Sequence, residues 1–174
     1  QPATCAALKL IAVLAPRPGE LRLARWTEFD FDAAIWTIPA ERTKMRREHR
    51  VPLPKQAIAI LRQLHGLTGR AGLVFPSVRG TTRPISENTL NAALRRIGYA
   101  SDEVTSHGFR ATFSTIANES GKWSADSIER ALAHVDSDSV RRAYHRAEYW
   151  EERVAMAQWY ADLLDELRLA SPRA

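Results

Sequence analysis

Pro16 and Pro18 bracket a single arginine, and together they dictate how the start of the chain can fold. The apolar run before them, Ala6-Ala7-Leu8, Leu10-Ile11 and Val13-Leu14, predicts a buried helix from Cys5 to Ala15. Pro16 has no N–H and disfavours helical geometry at Ala15, so that helix has to stop there. Pro18-Gly19-Glu20 then predicts a second helix, with proline and an acidic residue in its first turn. Arg17 is therefore fixed on a stiff elbow between two helices. Taken alone, it reads as a salt-bridge partner of Glu20.

Beyond the elbow the periodicity changes. Phe29 to Phe31, Ala34 to Ile38 and Arg50 to Leu53 read as short strands, with turn residues at Asp30 and Asp32. They predict a small antiparallel sheet of about three strands, and Pro52 puts the third at an edge. The basic connector from Glu41 to Arg50 holds Lys44 and reads by itself as a solvated hairpin tip. The remaining segments predict helices: Lys55 to His65 stopping at Gly66, Ser86 to Ile97, Thr105 to Ser120, Ser124 to His134, Ser137 to Arg146 and Tyr149 to Leu167. The last carries a stripe of Val154, Trp159, Leu163 and Leu167, expected to pack on its own domain. Leu73-Val74-Phe75 reads as an apolar run in a loop. The fold class is mainly α with a small antiparallel sheet, in one domain spanning residues 1–174. The chain opens directly into an apolar helix, as a piece of something longer would.

Composition sets the outer bounds. With 45% apolar and 26% charged residues, this is no disordered tail. No run approaches the roughly 20 apolar residues that a membrane span needs. One cysteine, Cys5, rules out an internal disulfide and fits a reducing compartment. Lys and Arg number 25 against 20 Asp and Glu, a net charge of +5 that permits a polyanionic partner without establishing one.

Several polar residues stand in unusual company. His107 and Arg110 are three apart on one predicted helix, beside Phe109, Phe113 and Ile116, and so are expected to share a face. His134 ends the next helix after Leu132-Ala133. Tyr144 lies among Arg141, Arg142, His145 and Arg146. With Arg17 and Lys44 these make two arginines, two histidines, a lysine and a tyrosine. If they met, two guanidinium forks would stabilise charge building on a phosphodiester without a metal. A phenol near cations would attack, and a lysine would protonate the departing oxygen. No acidic cluster of the kind metal-dependent nucleases need lies near the set. Each residue also has a plain structural reading: an ion pair for Arg17, a loop hydrogen bond for His107, a helix-end cation for His134, packing for Tyr144.

The order of motifs decides between these readings. Arg17-Pro18-Gly19-Glu20-Leu21, Lys44 in a strand-to-strand turn, His107-Gly108-Phe109-Arg110, Leu132-Ala133-His134 and Ala143-Tyr144-His145-Arg146 together resemble the catalytic domain of tyrosine recombinases. These are the phage integrase family of site-specific DNA recombinases, and the likeness is closest to P4-like prophage and genomic-island integrases. Trp36-Thr37-Ile38-Pro39, His49-Arg50-Val51-Pro52-Leu53 and Val74-Phe75-Pro76-Ser77 support it, and it covers residues 5 to 168. Thr43 departs from the pattern, standing where the group usually has a hydrophobic residue.

The resemblance implies roles. Arg17 and Arg110 would clamp the scissile phosphate, Lys44 would be the general acid, and His107 and His134 would assist proton transfer and hold the phosphate. Tyr144 would be the nucleophile, and Glu20 would orient its neighbours. No cofactor and no metal are implied. Partners would be attachment-site duplex DNA, further copies in a tetramer on DNA, and an accessory directionality factor, in the bacterial cytoplasm and away from membranes. The N-terminal core-binding and arm-binding domains of the family are not in these residues. Tyr144 is expected to lie away from the arginines when DNA is absent. Two other readings stay in view: a noncatalytic DNA-binding module on the same scaffold, and a type IB topoisomerase-like activity. A zinc enzyme using His49, His107, His134 or His145 lacks both a HExxH helix and a cysteine pair.

Overall fold

A computed structural model describes residues 1–134 and 149–170 of the chain. Helix α1 (Pro2–Leu14) runs through the centre, with Ala7, Leu10 and Ile11 fully buried. It packs against α3 (Lys55–Thr68), α4 (Thr89–Arg96), α5 (Gly108–Glu119) and the last described helix, here α7 (Trp150–Ala170). It ends where the prolines require: Ala15 turns left-handed at φ 47°, and its N–H still reaches Ile11 O at 3.1 Å. Helix α2 (Pro18–Arg22) starts two residues beyond Pro16.

The expected sheet forms from β1 (Phe29–Asp30), β2 (Ile35–Ile38) and β3 (His49–Pro52), antiparallel in the order β1-β2-β3. β3 is an edge strand, as its proline requires. Trp36 and Ile38 are completely buried on the core face, and Phe29 stacks on Trp36 at 5.3 Å between ring centroids. Each large side chain buried in this way contributes roughly 1.5–3 kcal/mol.

Four expectations need correction. α3 continues through Gly66 to Thr68, because a Cβ-less residue weakens a helix without ending it. A second hairpin, β4 (Pro76–Ser77) with β5 (Gly80–Pro84), follows the Leu73–Phe75 run. α4 and α5 start three residues later than the expected Ser86 and Thr105, at Thr89 and Gly108. On α7 the expected stripe is half right: Trp159 packs against the second apolar cluster and Leu163 is partly buried, but Val154 and Leu167 are 42% and 51% exposed, and the buried positions are Arg153, Met156, Tyr160 and Ala161. The predicted helix from Ser137 to Arg146 lies outside the described residues.

Two apolar clusters result. One joins α1, α2, α3 and the sheet. The other gathers Ala15, Phe113, Ala117, Ile128, Leu132, Met156 and Tyr160 from α1's end, α5, α6 (Ala125–Ala131) and α7. Phe113 meets Tyr160 edge-on at 4.9 Å. α7 thus packs on its own chain, as expected. The Ala15–Arg17 elbow passes from the first cluster to the second, so it is anchored on both sides. Among the described residues no helix is long and apolar enough to cross a membrane.

Candidate active site at the end of helix α6

Arg17 is the N-cap of α2 in extended geometry, φ −66° and ψ 137°. Its backbone N–H donates to Glu20 Oε2 at 3.2 Å, and its Nη1 donates to Glu20 Oε1 at 3.1 Å. One carboxylate therefore caps the helix and grips the guanidinium before it. Glu20 is 4% exposed against 21% for Arg17, so the anion is withdrawn while the cation keeps an edge in solvent. The ion-pair reading of Arg17 is correct but partial, because Nη2 also donates to Ala133 O at 3.2 Å, 116 positions away.

Arg110, in the first turn of α5, is buried. Its Nη1 donates to Ala15 O at 2.7 Å and its Nη2 to Leu132 O at 2.5 Å. Burial first, and then the charge of Arg17, lower its pKa to about 10, with Glu20 opposing. It remains a cation at neutral pH. The two guanidiniums thus donate to the successive carbonyls of Leu132 and Ala133, so they converge on one place.

That place is the C-terminus of α6, whose last carbonyls have no helical partner. Ser124 caps the other end by accepting from Ser127 N–H at 3.2 Å. At the close, Ala133 N–H donates to Arg130 O at 3.1 Å and His134 N–H to Glu129 O at 2.9 Å. This is a Schellman closure with alanine at the left-handed position, φ 49°, where glycine is usual. A left-handed alanine costs on the order of 1 kcal/mol. Two of the three left-handed alanines among the described residues, Ala15 and Ala133, give their carbonyls to the arginines, and cations at this helix end also suit its dipole.

A third side chain reaches the same helix end. His49 pairs across the sheet with fully buried Ile38 and lies two residues before Val51, so the strand alternation puts all three on the core face. Its ring makes a hydrogen bond to the backbone of Ala131. Burial, then Arg153, with smaller contributions from Arg110 and Arg17, lower its pKa to about 3 against the favourable hydrogen bond, so the imidazole is neutral. Arg153, 5% exposed on α7, donates to Arg50 O and lies over the Trp150 ring at 5.4 Å. Sequence reasoning missed both as members of this site. For His49, register against the buried β2 was the available signal; a buried arginine such as Arg153 gives none.

The other expected residues are less enclosed. Lys44 is exposed in the turn between β2 and β3 and makes no hydrogen bond or ion pair among the described residues. Its neighbour Thr43 is buried, and its hydroxyl donates to Arg47 O at 2.7 Å and accepts from Arg47 N–H at 3.0 Å. A hydroxyl therefore ties this turn where an apolar side chain was expected. His107 does not share the environment of Arg110: it is the N-cap of α5, outside the helix, and exposed. His134 is 47% exposed, with Nδ1 2.8 Å from Glu129 Oε2. Tyr144 and His145, with the expected displacement of Tyr144, lie outside the described residues. Among the described residues no three His, Cys, Asp or Glu side chains are grouped to hold a metal.

The mainly helical scaffold with a small antiparallel sheet is a fold shared with solved integrases and recombinases. The integrase of mycobacterium phage Brujita matches it with a TM-score of 0.69 over 91% of this chain and 51% of that one, at 19% identity. Residues 3–151 match the Phage integrase family, and the chain belongs to it. The integrase of Enterobacteria phage P4 is 46% identical over 173 residues, 91% of this chain and 39% of the relative. Prophage integrase IntA of Escherichia coli K12 is 49% identical over 148 residues, 85% of this chain and 35% of the relative. The chain thus spans well under half the length of these relatives, and it is a P4-like member of the family.

Proposed function

We propose that this chain is the catalytic domain of a site-specific DNA recombinase that integrates or excises a mobile element. The observation that carries the reading is the convergence of Arg17 and Arg110 on successive carbonyls at the end of α6. Each guanidinium has five donors, and the bonds above occupy only Nη1 and Nη2 on each. The donors left over can fork onto the nonbridging oxygens of a phosphodiester.

In this reading the Tyr144 oxygen attacks the scissile phosphorus, forming a P–O bond to the phenol as the bond to O5′ breaks. Arg17 and Arg110 stabilise the charge that grows on the nonbridging oxygens, and His107 and His134 hold the phosphate and assist the transfer of the phenolic proton. Lys44 gives its proton to O5′. One phosphate ester replaces another, so neither ATP nor a metal is needed, and a 5′ hydroxyl from a second strand reverses the step. Glu20 keeps Arg17 aimed. The partners are attachment-site duplex DNA and three further copies in a tetramer, with an accessory protein setting direction. Residues 1–174 form the catalytic domain, and preceding domains of the full protein complete the grip on DNA.

The test is a nicked attachment-site duplex that traps the covalent state of the full-length protein. A protein–DNA adduct mapping to Tyr144 and lost in Tyr144→Phe is expected. An adduct that persists in that variant overturns the assignment.

A further inference from the structure

Three consecutive carbonyls close α6, and three side chains from separate parts of the chain meet them: His49 from β3 at Ala131, Arg110 from α5 at Leu132, Arg17 from the elbow at Ala133. The two arginines have a phosphate to bind in the reading above. His49 has no part in that chemistry, yet it occupies a core-facing position opposite fully buried Ile38, where an aliphatic side chain would bury at no polar cost. We propose that His49 is a positioning residue for the recombination site: its ring, bonded to Ala131, locks the end of α6 to the sheet and so fixes the carbonyls that aim Arg110 and Arg17. The inference rests on the recombinase reading.

The choice of imidazole has a physical reason. The groups facing this ring are the cations Arg153, Arg110 and Arg17, with Glu20 bonded to Arg17. A lysine or arginine at position 49 would add a further buried positive charge beside them. A neutral imidazole supplies a directed N–H with no added charge. Without it, Ala131 O loses its tie to the sheet. A displacement of about 1 Å at reacting groups is enough to lower a rate a hundredfold.

The experiment is single-turnover adduct formation by the full-length protein on the nicked duplex at saturating DNA, alongside DNA affinity and melting temperature. His49→Leu keeps the volume and removes the donor. It is expected to lower the adduct rate by roughly ten- to a hundredfold at unchanged DNA affinity. His49→Asn and His49→Gln place an amide N–H near one or the other ring nitrogen, and one of them should recover most of the loss. That variant should also keep the wild-type pH–rate profile between about pH 5 and 8, because a positioning group carries no proton in the reaction. A leucine variant cleaving at the wild-type rate, or two folded amide variants that both stay inactive, overturns the proposal. If the leucine variant does not fold, the amide pair decides alone. A wild-type protein that forms no Tyr144 adduct overturns the recombinase reading itself, and this inference with it.

Discussion

Arg17 and Arg110 are built into the protein, whereas Lys44, His107 and His134 stand at its surface. Arg110 spends both terminal nitrogens on main-chain carbonyls of two residues in the second apolar cluster, and Arg17 is gripped by a buried carboxylate. Lys44 and His107 are exposed, and the contact of His134 is with a half-exposed glutamate. The two sets have different tasks in the proposed chemistry. Binding a phosphate rewards donors held in place before it arrives, since no free energy is then lost in ordering them. Moving a proton requires a group that reaches the substrate and can leave it again. In the proposed chemistry the enclosed half would serve as a preorganised cradle, and the exposed half would be ordered by DNA.

If that contrast is right, the two halves separate stability from rate. Arg110→Leu strips the partners from Ala15 O and Leu132 O within the second cluster and should destabilise the fold by about 2–4 kcal/mol, read by chemical denaturation. The same variant should lose roughly 10²–10³ in adduct rate. Arg110→Lys should recover little of either, because an ammonium cannot span two carbonyls set by a fork.

His49 affects stability through pH, without a large change at neutral pH. Its folded pKa of about 3 lies below the unfolded value of 6.5, so below pH 6.5 the unfolded chain binds the extra proton. Its contribution is therefore intact above about pH 6.5 and is lost as the pH falls toward 3, with a slope of at most ~1.4 kcal/mol per pH unit. Denaturation of His49→Gln over that range should show a shallower decline than the parent protein. An equal slope would mean the imidazole already titrates freely when folded.

Ala133→Gly should have a smaller effect of opposite sign. Glycine adopts φ near 49° without the Cβ clash, so the variant should gain about 0.5–1 kcal/mol in denaturation while keeping the carbonyl aimed at Arg17. A loss there would show that the alanine methyl packs to more purpose than its strain.

The smallest effect on stability belongs to Lys44→Ala, within about 0.5 kcal/mol of the parent. Its adduct rate should nevertheless fall by roughly 10²–10⁴. A substrate with sulfur in place of the departing oxygen should restore much of it, because a thiol of pKa near 8.5 leaves with little need of a proton. A large stability change in this variant would erase the contrast between the halves.

The elbow was legible from two prolines, and the sheet from strand alternation with turn residues between, because each depends on sterics within a few residues. Arg17, Lys44, His107, Arg110, His134 and Tyr144 were nameable from the order of their motifs. The face of α7 was not, since a pattern that counts only apolar side chains cannot include Arg153, buried beside Trp150. Nor was the β4–β5 hairpin, whose first strand is too short to show a period. His49 fell between the two cases: its side of the strand followed from Val51 and Ile38, but its neighbours came from the distant elbow and from α5, α6 and α7.

By itself, then, the order of residues set where helices break, which strand faces turn inward and which side chains carry charge. All of these follow from the shape of each residue and its near neighbours. Only the folded chain decided what those charges hold. The acceptors are main-chain oxygens of Ala15, Ala131, Leu132 and Ala133, and every residue type carries such an oxygen, so no letter in the sequence marks them. Their use depends on a left-handed turn at two alanines and on three distant segments arriving together at one helix end.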